Sequence, residues 1–365
     1  MTPGPQAPFF TLVVPVLDGG CAFARSLAAI ARSGYRDLEL VVVDDGSTDG
    51  SAERAKGAGA AVLSTSGRRG PAAARNLGAA LARGRYLFFL DADCELHADA
   101  LGRAAALLRS DPALDAVFGS YDDEPPAPGA VSRYRNLLHH RVHQRGRHDA
   151  ATFWAGCGAI RRSSFEAVGG FDAARYPRPS IEDIELGARL RAAGGRIRLA
   201  PDILVTHHKA WTFGSMVRTD VLARAAPWTE LGLRSGGLPR DLNVGLRERA
   251  SLAALVGALA AGVAALWVGW LAWAAAALAL AFLLLELDLF RFLRRRGGIP
   301  FALLSVPLHA VHVLSGGLGL LVGVARHLRS AGGRRGGPAD ERSAPYPPSH
   351  LPGDRAGRNP AGPRA

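Results

Sequence analysis

Two carboxylates directly follow the most apolar short segment in the first half of the sequence. The segment from Tyr86 to Leu90 has the length and composition of a strand buried on both faces of a parallel sheet, and Asp91 and Asp93 come just after it. Because side chains alternate along a strand, both carboxylates can face one pocket at the carboxyl edge of the sheet, where open α/β sheets bind ligands. Neighbouring like charges favour a hard divalent cation such as Mg²⁺, carrying substrate phosphates. A solvated acidic turn is the alternative that this motif alone leaves open.

Two other apolar strands also end in acidic residues. Residues 9–16 are followed by Asp18, and residues 38–43 are followed by Asp44 and Asp45. In a single parallel sheet, these carboxylates would lie at the same edge as the first pair. This convergence indicates a shared site more specifically than any single motif does.

Arg75 and two further acids are the remaining candidates from residue type and position. Arg75 lies early in a predicted helix over residues 72–82 that leads into the central strand, so it is either a solvated helix arginine or a cation near a nucleotide. The preceding glycine loop lacks the Gly-Lys-Ser/Thr of a P-loop, which argues against that class of NTPase.

Glu182 and Asp183 begin another predicted helix. They are either acids favoured by the helix dipole or, for one of them, a general base at the mouth of the pocket.

The rest of the chain must position these residues. A length of 365 residues allows about two domains, and alternating strands and helices over the first 210 residues predict a doubly wound parallel α/β sheet. The formal net charge of +12 comes from dispersed basic residues, with runs beside apolar segments. We therefore expect attraction to membrane lipids rather than to nucleic acid. The three cysteines are far apart, fit no zinc spacing and are typical of reduced cytosolic thiols.

A long apolar region predicts membrane segments. Residues 251–290 would form a helix of ~60 Å, twice the ~30 Å hydrocarbon core, so they predict two helices over 251–269 and 271–290 that turn at Gly269 and Trp270. A third apolar segment, 299–325, either spans, re-enters or lies at the interface, and a single tilted helix over 251–290 is also left open. With the N-terminal domain in the cytosol, two spans return residues 291–296 to the cytosol, which agrees with the positive-inside rule.

The order of these motifs resembles that of the family 2 glycosyltransferases with a GT-A fold, over about residues 9–210. The motifs that carry the resemblance are Val14-Pro15, Asp44-Asp45-Gly46-Ser47-Thr48-Asp49, Ala74-Arg75-Asn76-x-Gly78, Asp91-x-Asp93, Gly169-Gly170-Phe171-Asp172 and Glu182-Asp183. The resemblance implies an α/β fold with a GT-A-type (Rossmann-like) doubly wound mixed sheet, plus C-terminal transmembrane helices. The sequence departs from the family pattern in two places. The first strand ends in Val16-Leu17-Asp18, where many relatives have an aromatic residue and Asn, and the Gln-x-x-Arg-Trp signature of processive synthases is absent. The second departure favours transfer of a single sugar.

The resemblance also implies residue roles. Asp45 would contact the nucleotide base and Asp91 the ribose, Asp93 would bind Mg²⁺ or Mn²⁺, Asp183 would deprotonate the acceptor hydroxyl, and Glu182 would support it. His207 matches a recurring histidine that approaches the metal or the diphosphate. The expected nucleotide-sugar-binding set comprises Pro15, Asp18, Asp44, Asp45, Arg75, Asp91 and Ala92.

These observations predict a membrane-anchored, metal-dependent, inverting enzyme. It would move one sugar from a UDP- or GDP-sugar to a lipid-linked or cell-envelope glycan acceptor, as a multi-pass cell-membrane protein with a cytoplasmic catalytic domain. The alternative is a catalytically silent nucleotide-sugar-binding membrane scaffold, whereas a channel would need more spans. The expected domains are a flexible N-terminus (1–8), the catalytic domain (9–210), an interfacial connector (211–250), membrane segments (251–328) and a disordered tail (329–365).

Overall fold

The computed structural model describes residues 7–235 and 245–333. Most of the predicted flexible N-terminus, nine residues of the predicted connector and the predicted tail from residue 334 onward lie outside the described residues.

A nine-stranded mixed sheet forms the centre of the predicted catalytic domain. The strands lie in the order β3-β2-β1-β4-β8-β6-β9-β5, and β7 pairs with β9. The strand bounds are Phe10–Val16 (β1), Leu38–Asp44 (β2), Ala61–Ser64 (β3), Tyr86–Leu90 (β4), Cys94–Leu96 (β5), Ala116–Tyr121 (β6), Asp149–Ala150 (β7), Cys157–Arg161 (β8) and Ile197–His207 (β9).

Strand β8 makes the sheet mixed, because it runs antiparallel to both β4 and β6 while β1 to β4 are mutually parallel. The wholly parallel sheet expected from the strand–helix alternation is therefore wrong, and the mixed sheet implied by the resemblance is confirmed. The physical reason is the path of residues 151–156. They lead from β7, beside the start of β9, back to the carboxyl end of β4, where the Asp91 amide donates to the Gly156 carbonyl at 3.2 Å. A strand starting at that edge must run in the opposite direction.

Helices cover both faces of the sheet, which explains why every residue of β4 is buried. One apolar layer includes Phe10 and Phe88, and the other includes Val13 and Phe89. A close approach at Gly78 sets the depth of the helix that packs on β1, because a Cβ there would lie 2.5 Å from Val13 Cγ1. The helix bounds are Gly20–Arg32 (α1), Ser51–Gly57 (α2), Pro71–Ala80 (α3), Ala100–Ser110 (α4), Ala130–Arg145 (α5), Arg162–Ala167 (α6), Glu182–Ala192 (α7), Phe213–Arg218 (α8), Ala226–Arg234 (α9), Leu246–Ala264 (α10), Leu271–Leu285 (α11) and Leu287–Gly333 (α12).

The C-terminal helices form a separate layer beside the sheet. Helices α10 and α11 pair around a turn at residues 265–270, close to the turn predicted at Gly269 and Trp270, although α11 ends at Leu285 rather than near residue 290. Helix α12 is divided at Gly298, whose φ of 77° and ψ of 179° are not helical. Within the described ranges, one helix, Leu287–Ser330, is long and apolar enough to cross a membrane, and Leu271–Leu285 is a shorter apolar helix.

Part of the predicted connector is helical and packs against α12. Helices α8 and α9 are joined by a π-helical segment, Thr219–Ala225. Small residues allow the close approach: a Cβ added to Gly319 would lie 2.4 Å from Ala225 Cβ, and one added to Gly323 would lie 2.6 Å from the Ala226 carbonyl oxygen. Helix α5 also lies between the sheet and α12, and most of its residues are buried or half-buried.

Candidate active site

A buried arginine joins the carboxyl end of β4 to the start of α7. Arg75, on α3, donates from Nη2 to Asp91 Oδ1 at 2.6 Å and from Nη1 to Glu182 Oε1 at 2.9 Å. Burial lowers the pKa of the Arg75 guanidinium, but Asp91, Glu182 and Asp183 outweigh it and raise the pKa above its ordinary value. Arg75 is therefore a fixed cation that brings acids from two distant parts of the chain into one site.

The two acids at the start of α7 have different environments. Both carboxylate oxygens of Glu182 are engaged, one by Arg75 and the other by the Ser180 amide at 2.8 Å. Asp183 is half-buried and accepts from the Ala155 amide at 3.1 Å. Burial, followed by the charge of Glu182, raises the pKa of Asp183 to about 6. Asp183 can therefore exchange a proton near neutral pH, whereas Glu182 is held in an ion pair.

Antiparallel pairing of β5 with β9 places a histidine beside Asp93. Cys94 is the register partner of His207, and His207 Nε2 lies 3.5 Å from Asp93 Oδ2. Burial raises the pKa of the Asp93 carboxyl, but His207 and Lys209 outweigh it, so the pKa lies below its ordinary value. The ring of Tyr121, at the end of β6, stacks on His207 with the centroids 4.2 Å apart. An ionised carboxylate and a fixed imidazole therefore lie next to each other at the sheet edge.

This pair fits a divalent cation. Donor atoms of Asp93, Cys94 and His207 all lie within 4.8 Å of one another. Burial raises the pKa of the Cys94 thiol well above its ordinary value, which leaves Cys94 protonated and unsuited to a hard cation. The carboxylate oxygen and the imidazole nitrogen are donors that Mn²⁺ accepts, and Mg²⁺ can use the carboxylate. The residues present are therefore compatible with the predicted Mg²⁺ or Mn²⁺.

The acids of the first two strands lie beside this centre, and their carboxylates bind the chain itself. Buried Asp45 accepts from Thr65 Oγ1 at 2.7 Å and from the amides of Arg69 and Gly70, both at 2.8 Å. Asp18 has a φ of 49° and accepts from the Thr48 amide at 2.7 Å. The structure thus uses both residues to hold the loops after β1, β2 and β3.

The other members of the predicted nucleotide-binding set occupy the same edge. Asp44 ends β2 and accepts from the Ser47 amide at 3.0 Å. Pro15, half-buried in β1, is paired with Val43 of β2. Ala92 is half-buried in the turn between Asp91 and Asp93. The site residues named from the sequence thus form two groups, which we call the predicted nucleotide side, around Asp45, and the predicted metal and acceptor side, around Asp93.

An aromatic and histidine cluster beside His207 was not predicted as part of the site. Trp154 lies edge-on to Tyr121, with ring centroids 4.9 Å apart, and also contacts His139 and His143 of α5. Burial lowers the pKa of His143 to about 3, so this histidine stays neutral and acts as a packing residue. The histidines are visible in the sequence, but their position beside His207 depends on how α5 packs onto the sheet, which the sequence pattern does not show.

A polar cleft of about 770 Å³ opens between the loop after β6 and the kink region of α12. Arg133 of α5 and Arg296 of α12 line it, and the Arg133 guanidinium lies 4.9 Å from the centre of the Phe301 ring. Arg296 forms an ion pair with Asp123. Because β8 runs antiparallel to both β4 and β6, the latter two strands end at the same edge. The cleft therefore lies on the side of the sheet edge that faces the C-terminal helices.

Comparison with known proteins agrees with this architecture. A family model described as "Glycosyl transferase family 2" matches residues 11–169. An "Uncharacterized glycosyltransferase" of Haemophilus influenzae is 35% identical over 91 residues, which are 24% of this chain and 36% of that protein. A "Pre-mycofactocin glycosyltransferase" of Mycobacterium tuberculosis is 31% identical over 217 residues, which are 56% of this chain and 43% of that protein. The chain thus spans less than half the length of these two curated relatives.

A solved structure shows the same fold. The mannosyltransferase PcManGT from Pyrobaculum calidifontis, in complex with GDP-Man and Mn²⁺, superposes with a TM-score of 0.53 at 20% identity, covering 88% of each chain. This likeness confirms the predicted GT-A fold class. The family match over residues 11–169 and the shared motifs support the predicted relation of this part of the chain to the family 2 glycosyltransferases.

Proposed function

We propose that the chain is a membrane-anchored, metal-dependent, inverting glycosyltransferase that moves a single sugar from a UDP- or GDP-sugar to a lipid-linked or cell-envelope glycan acceptor. The observation that carries this proposal is the Arg75 bridge. It holds the start of α7, which bears an acid with a pKa of about 6, against the carboxylates that follow β4. A proton acceptor and a site for a charged leaving group are thereby part of one rigid constellation.

Asp183 is the proposed general base. An acid with a pKa near 6 is ionised at neutral pH and still basic enough to assist an acceptor hydroxyl, an effect of ~10²–10⁴-fold. Glu182 cannot serve equally, because its carboxylate is neutralised by Arg75 and held by the Ser180 amide. Its proposed role is to support the base through the ion pair.

Asp93 and His207 would hold Mg²⁺ or Mn²⁺ near the donor diphosphate. A bound cation of this kind supplies charge that stabilises the departing nucleoside diphosphate. Asp91 is about one third exposed and fixed by Arg75, which leaves it accessible to a donor hydroxyl. A single base acting opposite the leaving group implies one displacement, and therefore inversion at the anomeric carbon.

The loops around Asp45 would bind the nucleotide. Asp45 fixes the backbone of Arg69 and Gly70 directly before α3, which carries Arg75. The proposed set would then act mainly by shaping the donor pocket rather than by neutralising the charge of the donor phosphates. It comprises Pro15, Asp18, Asp44, Asp45 and Ala92. GDP-Man and Mn²⁺ are named for the PcManGT complex, and we propose the same ligand classes, a nucleotide sugar and a divalent cation, for this chain.

The proposed acceptor approaches from the C-terminal helices. The cleft near Arg133 and Arg296 lies between the active edge and α12, which is apolar enough to cross a membrane. A lipid-linked acceptor could therefore place its polar head at this cleft while its tail remains in the bilayer.

We propose several membrane crossings and a cytoplasmic catalytic domain. Reporter fusions after Asp49 and after Arg296 should then both indicate the cytosol, and an external signal at either position would contradict this topology.

Turnover of the nucleotide-sugar donor distinguishes the enzyme from the catalytically silent scaffold. Purified full chain in detergent is incubated with UDP- and GDP-sugars and Mn²⁺ or Mg²⁺, with and without a cell-envelope lipid extract, and the released nucleoside diphosphate is measured. We expect slow release that EDTA abolishes and the extract accelerates. Asp183→Asn is the matched control and should keep nucleotide-dependent thermal stabilisation while losing transfer. Nucleotide binding without turnover over the whole panel would favour the scaffold.

A further inference from the structure

A buried asparagine contacts the ring nitrogen of His207 that faces away from Asp93. Asn136 of α5 is 2% exposed, and its Oδ1 lies 2.7 Å from His207 Nδ1. The other ring nitrogen, Nε2, is the one 3.5 Å from Asp93 Oδ2. Stacking on Tyr121, with an interplanar angle of 8°, restricts rotation of the imidazole. The ring is therefore held at one face by Tyr121 and at one edge by Asn136, while its remaining nitrogen is directed at the carboxylate.

The chemistry of the amide oxygen defines the tautomer. The amide oxygen of Asn136 is the atom that faces Nδ1, and a carbonyl oxygen only accepts hydrogen bonds, so this contact assigns the proton to His207 Nδ1. In the neutral imidazole, the lone pair then lies on Nε2, on the side of Asp93. Metal-binding histidines commonly donate their second ring N–H to a carbonyl or carboxylate, which fixes both the tautomer and the ring orientation.

The position of Asn136 is itself fixed from the opposite side of α5. Tyr134 donates or accepts at the ring of His309 in α12, at 2.8 Å, and Arg135 is ion-paired with buried Asp220 of the π-helical segment. Three successive residues of α5 thus connect the C-terminal layer to His207. The docking contacts of Tyr134 and Arg135 thus fix the part of α5 that carries Asn136.

We propose that Asn136 is a positioning residue that fixes His207 with its Nε2 lone pair towards Asp93, as a ligand of the divalent cation. The inference rests on the proposed metal dependence, and it concerns how this chain prepares its histidine for the ion. Asn136 does not touch the substrate in this proposal. It acts through His207, so its effect must disappear when His207 is replaced.

The test measures Mn²⁺ binding directly rather than activity. Purified full chain is titrated with Mn²⁺ in the presence of UDP or GDP, and free Mn²⁺ is quantified by electron paramagnetic resonance. Asn136→Leu removes the acceptor at similar size and should weaken Mn²⁺ affinity by ~10–100-fold. Asn136→Asp can only accept and should keep the wild-type affinity. His207→Gln should weaken binding, and adding Asn136→Leu to it should cause no further loss.

Several outcomes would overturn the proposal. They are wild-type Mn²⁺ affinity in Asn136→Leu, a loss in Asn136→Asp as large as in Asn136→Leu, additive losses in the double variant, and no Mn²⁺ binding by the wild type with either nucleotide. If Asn136→Leu does not fold, as judged by near-ultraviolet circular dichroism, Asn136→Asp alone decides: retained affinity supports the proposal and lost affinity refutes it. Failure of the transferase assay with this binding pattern intact would reject the proposed function and leave the role of Asn136 standing.

Discussion

The two sides of the sheet edge use the same residue type in different ways. On the nucleotide side, Asp45 is buried and accepts three hydrogen bonds from the loop that follows β3. On the metal and acceptor side, Asp93 has about one third of its side chain exposed, and Asp183 is half-buried with a raised pKa. An aspartate at this edge therefore builds a loop where the donors of that loop converge on it, as at Asp45, and remains partly exposed where fewer donors engage it, as at Asp93.

This difference predicts what each side loses on mutation. Removing a carboxylate that binds its own loop leaves buried amides without acceptors and costs stability. Removing one that is open to ligands leaves the fold intact and costs chemistry. The variants below test that separation, in order of decreasing expected effect on turnover.

Asp93→Asn should have the largest effect. An amide is a poorer ligand for a hard cation and compensates no charge, so loss of several kcal/mol of charge stabilisation would lower turnover on the order of 10³-fold. Thermal unfolding should stay near that of the wild type. Asp202→Asn, at an exposed acid paired with Arg103, is the matched control and should be neutral. Metal-dependent turnover at the wild-type rate in Asp93→Asn would remove Asp93 from the site.

Asp183→Asn should follow, with turnover reduced by ~10²-fold or more and nucleotide affinity unchanged, because a base acts in the transition state. In the wild type, the transfer rate should decrease at pH values below about 6, where Asp183 becomes protonated.

Glu182→Gln should reduce turnover less than Asp183→Asn does but should lower the melting temperature, since it weakens a buried ion pair with Arg75. The reverse ranking of the two variants in turnover would show that the wrong acid was assigned.

The same raised pKa has a consequence for stability. The folded chain binds the Asp183 proton more tightly than the unfolded chain does, so this group stabilises the fold fully at low pH. That contribution is lost as the pH rises through about 6. At neutral pH, Asp183→Asn should therefore unfold at a higher temperature than the wild type, and the advantage should shrink as the pH falls. A variant less stable than the wild type at pH 7 would mean that the Ala155 and Ile184 amides stabilise the carboxylate more than burial penalises it.

Asp45→Ala tests the nucleotide side. Three donors of the loop after β3 lose their acceptor, one of them the hydroxyl of buried Thr65, so the unfolding free energy should fall by ~1–3 kcal/mol, and the donor KM should rise because Gly70 is no longer fixed before α3. Turnover at saturating donor should change less than in Asp93→Asn. A loss of turnover without any loss of stability would contradict the proposed division between the two sides.

Sequence reasoning located the edge of the sheet better than the contacts across it. The apolar run of β4 was enough to place Asp91 and Asp93 just beyond the end of the strand, because it depends only on neighbouring residues, although both lie in a turn where strand alternation no longer applies. Arg75 was predicted to be a solvated helix arginine or a cation near a nucleotide. Its carboxylate partners are 16 and 107 residues away in sequence, and a local sequence pattern cannot predict contacts at such separations. The reversal of β8 and the contact of Asn136 with His207 depend on the return path of residues 151–156 and on the packing of α5, and neither leaves a periodic signal.

The smallest expected effect comes from the cleft beside the C-terminal helices. Arg133 is exposed, its guanidinium lies over Phe301 and donates to the Arg296 carbonyl, and it forms no ion pair among the residues that the structure describes. It can therefore donate further hydrogen bonds to an anionic or hydroxyl-rich head group. An exposed cation contributes at most ~1 kcal/mol, so Arg133→Gln should raise the acceptor KM by about fivefold. Donor hydrolysis without acceptor should not change, because neither Asp93 nor Asp183 contacts this arginine. Arg145→Gln, at an exposed arginine of the same helix that pairs with Asp288, is the control. Equal losses in both variants would indicate a general charge effect on membrane association, and an altered donor KM in Arg133→Gln would move the cleft from the acceptor to the donor side.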